Sequence, residues 1–180
     1  MRVLSTWKNC SACDLCGSPR LYIRTSSNIK PPVDALFIGD APSDNDLVLG
    51  EPLVALDGRL LQSAIDKITV HIDFSYVITN SVICTPYTDE TKTKIGKPTP
   101  KQMDSCFFHI SDCIRLYQPL MVFALGATVT RLLKKHSVVH TVLKHPSAVI
   151  IRGGEGSLDY KKFFLQIRRA IIDGKTKASV

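Results

Sequence analysis

The stretch VDALFIGDAPSDNDLVLGEP, residues 33–52, decides the fold. Its opening, VDALFI, is a short apolar run ending at Gly39, the pattern of a strand buried on both faces. The chain then turns polar through Asp40, Ser43, Asn45 and Asp46, with Pro42 and Gly50 as breakers, so Pro42 to Glu51 reads as a loop. A strand buried on both faces belongs to a mainly parallel sheet covered by helices, and in such sheets ligands gather beyond the carboxyl ends of the strands. The acids after Gly39 therefore stand where a site forms.

Working outward, the same alternation repeats. GRLLQSAIDKI (58–68) sets Leu60, Leu61, Ala64, Ile65 and Ile68 on one helical face. FSYVITNSVIC (74–84) is a second strand and carries Asn80. Residues 85–100 are polar and proline-bearing, a long loop. Pro100 suits the first turn of a helix running to about Tyr117. LMVFALG (120–126) is a third strand, followed by a helix over 127–135 with a basic end. Val138 to Leu143 reads as a fourth strand, closed by Lys144-His145-Pro146-Ser147. Leu158 to Ile172 is a final amphipathic helix, and the tail 174–180 is expected to fray. The expected fold class is α/β: one domain over 1–180, a three-layer α/β/α sandwich with a four-stranded, mainly parallel sheet. Its strand-end loops carry Asp40, Asn45 and Asp46; Asn80; and His145 and Ser147. That convergence predicts an active site.

Composition bounds the function classes. The chain has 180 residues, 44% hydrophobic and 22% charged, enough for one core. No apolar run is long enough to span a membrane, and MRVLSTWKNC lacks the apolar stretch of a signal peptide. The expectation is an intracellular protein, cytoplasmic or nucleoid-associated, and monomeric. The formal charge of +7 fits a polyanionic partner, nucleic acid first, or a basic surface kept for solubility. The loop after Thr85 carries Lys92, Lys94 and Lys97, which suit phosphate contact or a solvated loop.

The six cysteines are unevenly spaced. CSACDLC holds Cys10, Cys13 and Cys16; Cys84 follows the second strand; Cys106 and Cys113 fall in the helix after Pro100. Without a secretory signal, a metal or iron–sulfur site is favoured over disulfides, since CxxC brings two thiolates to one metal from one turn. Buried inert thiols are the other reading.

GDAPSDNDLVLGEPLVALDGRLL resembles the first motif of the iron–sulfur uracil-DNA glycosylases of family 4, GEAPGxxEDxxGxPFVGxAGxLL. YVITNSVICTP is similar to that family's TNxxxCxPP strand, PTPKQMDSC to its PTPEExxxC helix start, QPLMVFALGATVTRLL to KPKVIVALGxxAxxxLL, and LKHPSAVI to its HPS loop. Five motifs in order cover most of the chain. The resemblance implies a three-layer sandwich, a DNA N-glycosylase, and a 4Fe-4S cluster held by Cys10, Cys13, Cys84 and Cys106. Cys16 is a possible substitute, and zinc the alternative to iron–sulfur.

For the site, the resemblance implies that Asp40 stabilises a cationic sugar and orients water, and that His145 donates to the leaving base; Asp46 or Asn45 is the alternative for part of the acid's job. An amide such as that of Asn80 has both a donor and an acceptor for a uracil-like edge. Ala41, Pro42 and Leu53 surround the base; Ser147 and Arg152 contact DNA, single- or double-stranded. Three positions depart from the pattern. Asp40 replaces Glu, about 1.5 Å less reach; Ser43 replaces Gly; Leu53 replaces the Phe that stacks on the base. Two readings follow: a glycosylase for uracil or a modified pyrimidine, and a scaffold that binds modified DNA or a protein without turnover. A zinc-stabilised α/β module unrelated to bases is a third.

Overall fold

A computed structural model describes residues 4–27, 29–89 and 91–178. Residues 1–3 of the cysteine-rich segment, Glu90 of the lysine loop and residues 179–180 of the tail lie outside the described residues.

The sheet has five strands, one more than expected, in the order β1-β3-β2-β4-β5. They are β1 (Ile23–Thr25), β2 (Ala35–Gly39), β3 (Tyr76–Asn80), β4 (Met121–Leu125) and β5 (Thr141–Leu143). β2, β3, β4 and β5 are parallel, and β1 pairs antiparallel with β3. β1 escapes sequence reading because three residues at an edge carry almost no periodicity. β3 ends at Asn80 rather than Cys84, because Ser81 and Val82 turn their amides onto the carbonyls of Gly39 and Asp40 at 2.7 and 3.1 Å. β5 starts at Thr141 rather than Val138, since the Val138 amide is spent on the Leu133 carbonyl, closing the preceding helix.

Helices cover both faces, as a doubly buried sheet requires. Along β2, Leu36 and Ile38 face α4 (Pro100–Tyr117), α5 (Ala127–Lys135) and Trp7 of α1 (Ser5–Lys8). Ala35 and Phe37 face α3 (Leu56–Thr69), α6 (Pro146–Ile151) and α7 (Leu158–Ala178). The period-2 alternation of a strand thus divides one apolar run between two cores. Phe37 and Phe123, direct partners across β2 and β4, stack with ring centroids 4.8 Å apart.

α4 begins as its sequence asks: Thr99 and Gln102 cap each other reciprocally, with Pro100 at the first turn. Two further helices form where loops were expected. α2 (Asp44–Leu49) is set by a capping box of Ser43 and Asp46 and closed by Gly50 in the left-handed region. α6 starts at Pro146 with His145 as its N-cap. α7 continues to Ala178, six residues past the expected boundary, and Lys175 pairs there with Asp34 at 2.9 Å. No helix among the described residues is long and apolar enough to cross a membrane.

The strand order reverses at β2. The chain leaves β2 for β3 on one side, then crosses to β4 on the other. The crevice of a doubly wound sheet opens at that reversal, and Asp40 is the first residue beyond it.

Candidate active site

Register sets the first contact: Gly39 lies directly beside Asn80. A β-carbon at Gly39 would stand 2.5 Å from Asn80 Oδ1 and 3.0 Å from Leu53 Cδ1. Asn80 is fully buried, and neither its amide nitrogen nor its oxygen has a hydrogen-bond partner among the described residues. Leaving such a group unpaired costs about 1–3 kcal/mol. A fold tolerates that cost at a strand end when a ligand supplies the missing donor and acceptor.

Leu53 reaches the amide by an unusual backbone. Its φ is 54°, a region that leucine rarely occupies. Two neighbours hold it there. Gly58 has no side chain where a β-carbon would sit 1.8 Å from the Leu53 carbonyl oxygen. Arg24 of β1 donates from Nη2 to that same oxygen at 2.9 Å, and from Nη1 to Gln62 Oε1 at 2.6 Å.

Asp40 is half-buried, and its Oδ1 has no partner among the described residues. Burial pushes its carboxyl above the usual carboxylate range, while the nearby His145, Lys97 and Arg131 pull it back. His145 belongs to the loop after β5 and abuts Gly126 at the end of β4, where a β-carbon would stand 3.2 Å from that of His145. Gly126, at φ 92°, also takes a conformation that favours glycine. The backbone N–H of Ser147 donates to His145 Nδ1 at 3.3 Å, and Ser147 Oγ stands 2.7 Å from the same atom. Nδ1 is therefore the acceptor, and neutral His145 carries its proton on Nε2.

Asn80 and Leu53 thus flank Gly39, and Asp40, the next residue, feels the charges of His145 and Lys97, with Ala41 and Pro42 on the turn leaving β2. Other expected residues are engaged elsewhere. Asp46 is buried and its carboxylate is fully used: Oδ2 accepts from Ser43 N and Oγ at 3.2 and 2.7 Å, and Oδ1 from Val54 N and Ala55 N at 2.8 and 3.0 Å. This corrects the expectation of a catalytic Asp46; its oxygens shape the loop that carries Leu53. Ser43 accordingly turns its hydroxyl into the cap of α2. Ser147 is occupied with His145, and Arg152 shares Asp159 with Lys144 at 3.2 and 2.7 Å. Lys92 and Lys94 sit on an exposed turn ordered by Asp89, which accepts from Thr91, Thr93 and Lys94. These bonds hold the Asp89 carboxyl well below its ordinary range.

Sequence reasoning missed Arg131 and Arg24. Arg131 reads as one more surface cation of a basic helix, and Arg24 sits in the strand that periodicity did not show.

Cys84 lies just beyond β3, bridged to Arg20 of the N-terminal segment. Burial pushes the Cys84 thiol up; Arg20 opposes this by charge and hydrogen bond, and Cys13 and Cys10 lie near enough to raise it further. Cys106 is pushed up to about 12 by burial first, with Cys84, Cys10 and Cys13 adding to the shift against a hydrogen bond from Ile83. Four thiols thus share one electrostatic neighbourhood. Cys16 is exposed. Cys113 is buried two turns beyond Cys106 on α4, within 3.9 Å of His109 Nε2. Among the described residues no three metal-ligating side chains already stand in metal-binding geometry. An all-thiol set with a guanidinium against Cys84 still fits a cluster or zinc by donor chemistry. Arg20 braces the segment: it donates to the carbonyls of Trp7, Lys8 and Cys10.

Comparison with known proteins adds the family. A sequence model described as "Uracil DNA glycosylase superfamily" matches residues 27–169. The type-4 uracil-DNA glycosylase of Archaeoglobus fulgidus is 27% identical over 118 residues, 66% of this chain and 55% of that protein. Those of Thermotoga maritima and Saccharolobus solfataricus are each 27% identical, over 121 and 128 residues, covering 67% and 71% of this chain and 58% and 56% of theirs. The chain spans somewhat more than half the length of these curated relatives.

Proposed function

The chain belongs to the uracil DNA glycosylase superfamily, and on that premise we propose that it hydrolyses the N-glycosidic bond of uracil, or of a related pyrimidine, extruded from DNA. The observation that carries this reading is the orphaned amide of Asn80, fully buried at the switch point between Gly39 and Leu53. It offers two N–H donors and two acceptor lone pairs that no described residue meets, and a pyrimidine edge with adjacent C=O and N–H groups matches.

The other groups then take definite roles. The base departs with the electron pair of its bond to C1′, and its O2 gains negative charge. The Nε2–H of His145 donates to that oxygen, in a crevice where such a donor is worth most. The Asp40 carboxylate faces the sugar, which gains positive charge, and accepts a proton from the water that adds to C1′. His145, Lys97 and Arg131 oppose the upward push of burial on the Asp40 carboxyl. Leu53 presents an apolar face where the family pattern has an aromatic ring. Asp40 starts one methylene further back than the family's glutamate, and the water spans the difference.

Cys10, Cys13, Cys84 and Cys106 would hold a 4Fe-4S cluster, which supplies a structural clamp joining the N-terminal segment to β3 and α4. Zinc satisfies the same thiolates; a purified protein absorbing broadly in the visible range distinguishes iron–sulfur. The partner is DNA, drawn by the chain's formal charge of +7.

The test is a panel of oligonucleotides bearing uracil, hydroxymethyluracil or a deaminated purine, followed by alkaline cleavage. Abasic sites form at uracil or another pyrimidine, and Asp40→Asn abolishes them. No abasic site on any substrate sinks the reading.

A further inference from the structure

We propose that the groove between α4 and α5 is a subsite for the nucleotide next to the extruded one on the same strand. This rests on the reading above that Asp40 faces the sugar of an extruded nucleotide. The groove measures about 430 Å³, within the range of ligand pockets. Its floor is apolar and buried, made by Pro98, Met103 and Leu132. Such a floor takes the face of a nucleobase, and the Met103 thioether suits contact with an aromatic ring.

Charge says where the phosphate goes. Three cations stand on the rim: Lys97, Arg131 and Lys135. Lys135 is already neutralised by Asp104 at 2.6 Å. Lys97 and Arg131 take part in no ion pair among the described residues, and both act on the Asp40 carboxyl. Two exposed cations of like sign, held together between the groove and the acid that faces the sugar, form a place for the phosphate linking two consecutive nucleotides. A second groove, about 520 Å³, lies on the other flank of Arg131 against His145, but its cations Lys144 and Arg152 share Asp159. The strand is drawn to the side where the cations are free.

Of the groove's polar groups, the Asp104 carboxylate is taken by Lys135 and His136, and the Thr128 hydroxyl both donates and accepts, so it does not discriminate between bases. Recognition is by stacking, so the subsite tolerates any neighbouring base while requiring that one be present.

The experiment uses single-stranded oligonucleotides with one deoxyuridine and three contexts: natural neighbours, a base-less tetrahydrofuran spacer on the 5′ side, and the same spacer on the 3′ side, all phosphates kept. Equilibrium binding and abasic-site yield are both read. One spacer, 5′ or 3′, weakens binding by roughly 5- to 150-fold, the value of a stacked base. In Thr128→Trp, which fills the groove, that penalty disappears. Arg131→Gln, an exposed change that spares the core, weakens all three oligonucleotides alike and lowers the salt slope by about one. Lys134→Gln, on the same helix away from the groove, leaves the slope as it is. The inference is overturned if neither spacer weakens binding, if the penalty persists in Thr128→Trp, or if the slope of Arg131→Gln matches that of the parent. A spacer penalty without abasic sites sinks the proposed activity and leaves the subsite; abasic sites without a spacer penalty do the reverse.

Discussion

Arg24 Nη2 donates to the backbone carbonyl of Leu53 at 2.9 Å and so braces a leucine at φ 54° against the Asn80 amide. An edge strand thereby shapes the surroundings of a residue at the end of the neighbouring strand. Arg24→Met removes the donor but keeps the aliphatic stem. The expected cost is about 1–3 kcal/mol of stability, from the unpaired carbonyl. KM for a uracil oligonucleotide rises more than kcat falls, because Leu53 shapes binding rather than chemistry. Arg24→Lys restores one of the two bonds and part of the loss. Unchanged KM in Arg24→Met, measured beside urea unfolding, counts against the brace.

Asn80→Ala separates function from stability. The amide makes no hydrogen bond among the described residues, so its removal leaves stability unchanged or raises it by up to about 1–3 kcal/mol. Binding of a uracil-containing oligonucleotide weakens at least tenfold in the same variant. A protein that unfolds more easily while keeping its affinity would mark Asn80 as a structural residue.

Asp46→Ala and Ser43→Gly test the loop. Asp46→Ala strands the amides of Val54 and Ala55 and the Ser43 cap; a loss of about 2 kcal/mol or more is expected. Ser43→Gly, the residue of the family pattern, costs only a few tenths of a kcal/mol, since glycine is tolerated at an N-cap. Thermal unfolding decides. Equal costs would show that the Asp46 carboxylate does not hold the Leu53 loop.

His109 predicts a pH dependence of stability. It is buried under Trp7, its Nε2 lies 2.7 Å from Thr79 Oγ1, and burial lowers its pKa to about 3. The unfolded chain binds a proton near pH 6.5 that the folded chain refuses until about 3. Stability is therefore full above 6.5 and is lost as the pH falls through that window. Urea midpoints at pH 7 and pH 5 should differ, and the difference should shrink in His109→Leu. An equal difference in both proteins places the acid sensitivity elsewhere.

The cysteines divide into two groups. Single alanine substitutions at Cys10, Cys13, Cys84 or Cys106 lose the bound metal, read as iron or zinc per chain, and lower the unfolding temperature. Cys16→Ala keeps the metal. Cys113→Ala keeps it too, at the cost of a small cavity. Metal loss in Cys16→Ala would move the ligand set to the second CxxC unit.

Four of the five strands were legible in the chain because each is a short apolar run closed by a breaker, as VDALFI is closed by Gly39. The main helices were legible from their apolar spacing. β1, α2 and α6 were not: each is six residues or fewer, and each depends on partners distant in sequence or on a cap. The signals of α2 and α6 were present, in the Ser43–Asp46 spacing and in Pro146, but a single helical turn has no periodicity to support them.

The sequence alone determined that Asp40 and His145 follow two strands of one sheet and that Asn80 lies on a third, because each strand is a local apolar pattern; the tertiary structure ended that third strand at Asn80. Only the tertiary structure decided which acid is free. Asp40 and Asp46 differ little as residues in a polar run. Among the described residues, one keeps an unpartnered oxygen at the switch point; the other spends Oδ1 on amides eight and nine residues away and Oδ2 on Ser43. Hydrogen bonds and burial are settled by neighbours distant along the chain. Arg24 beneath Leu53 and Arg131 beside Asp40 became visible for the same reason.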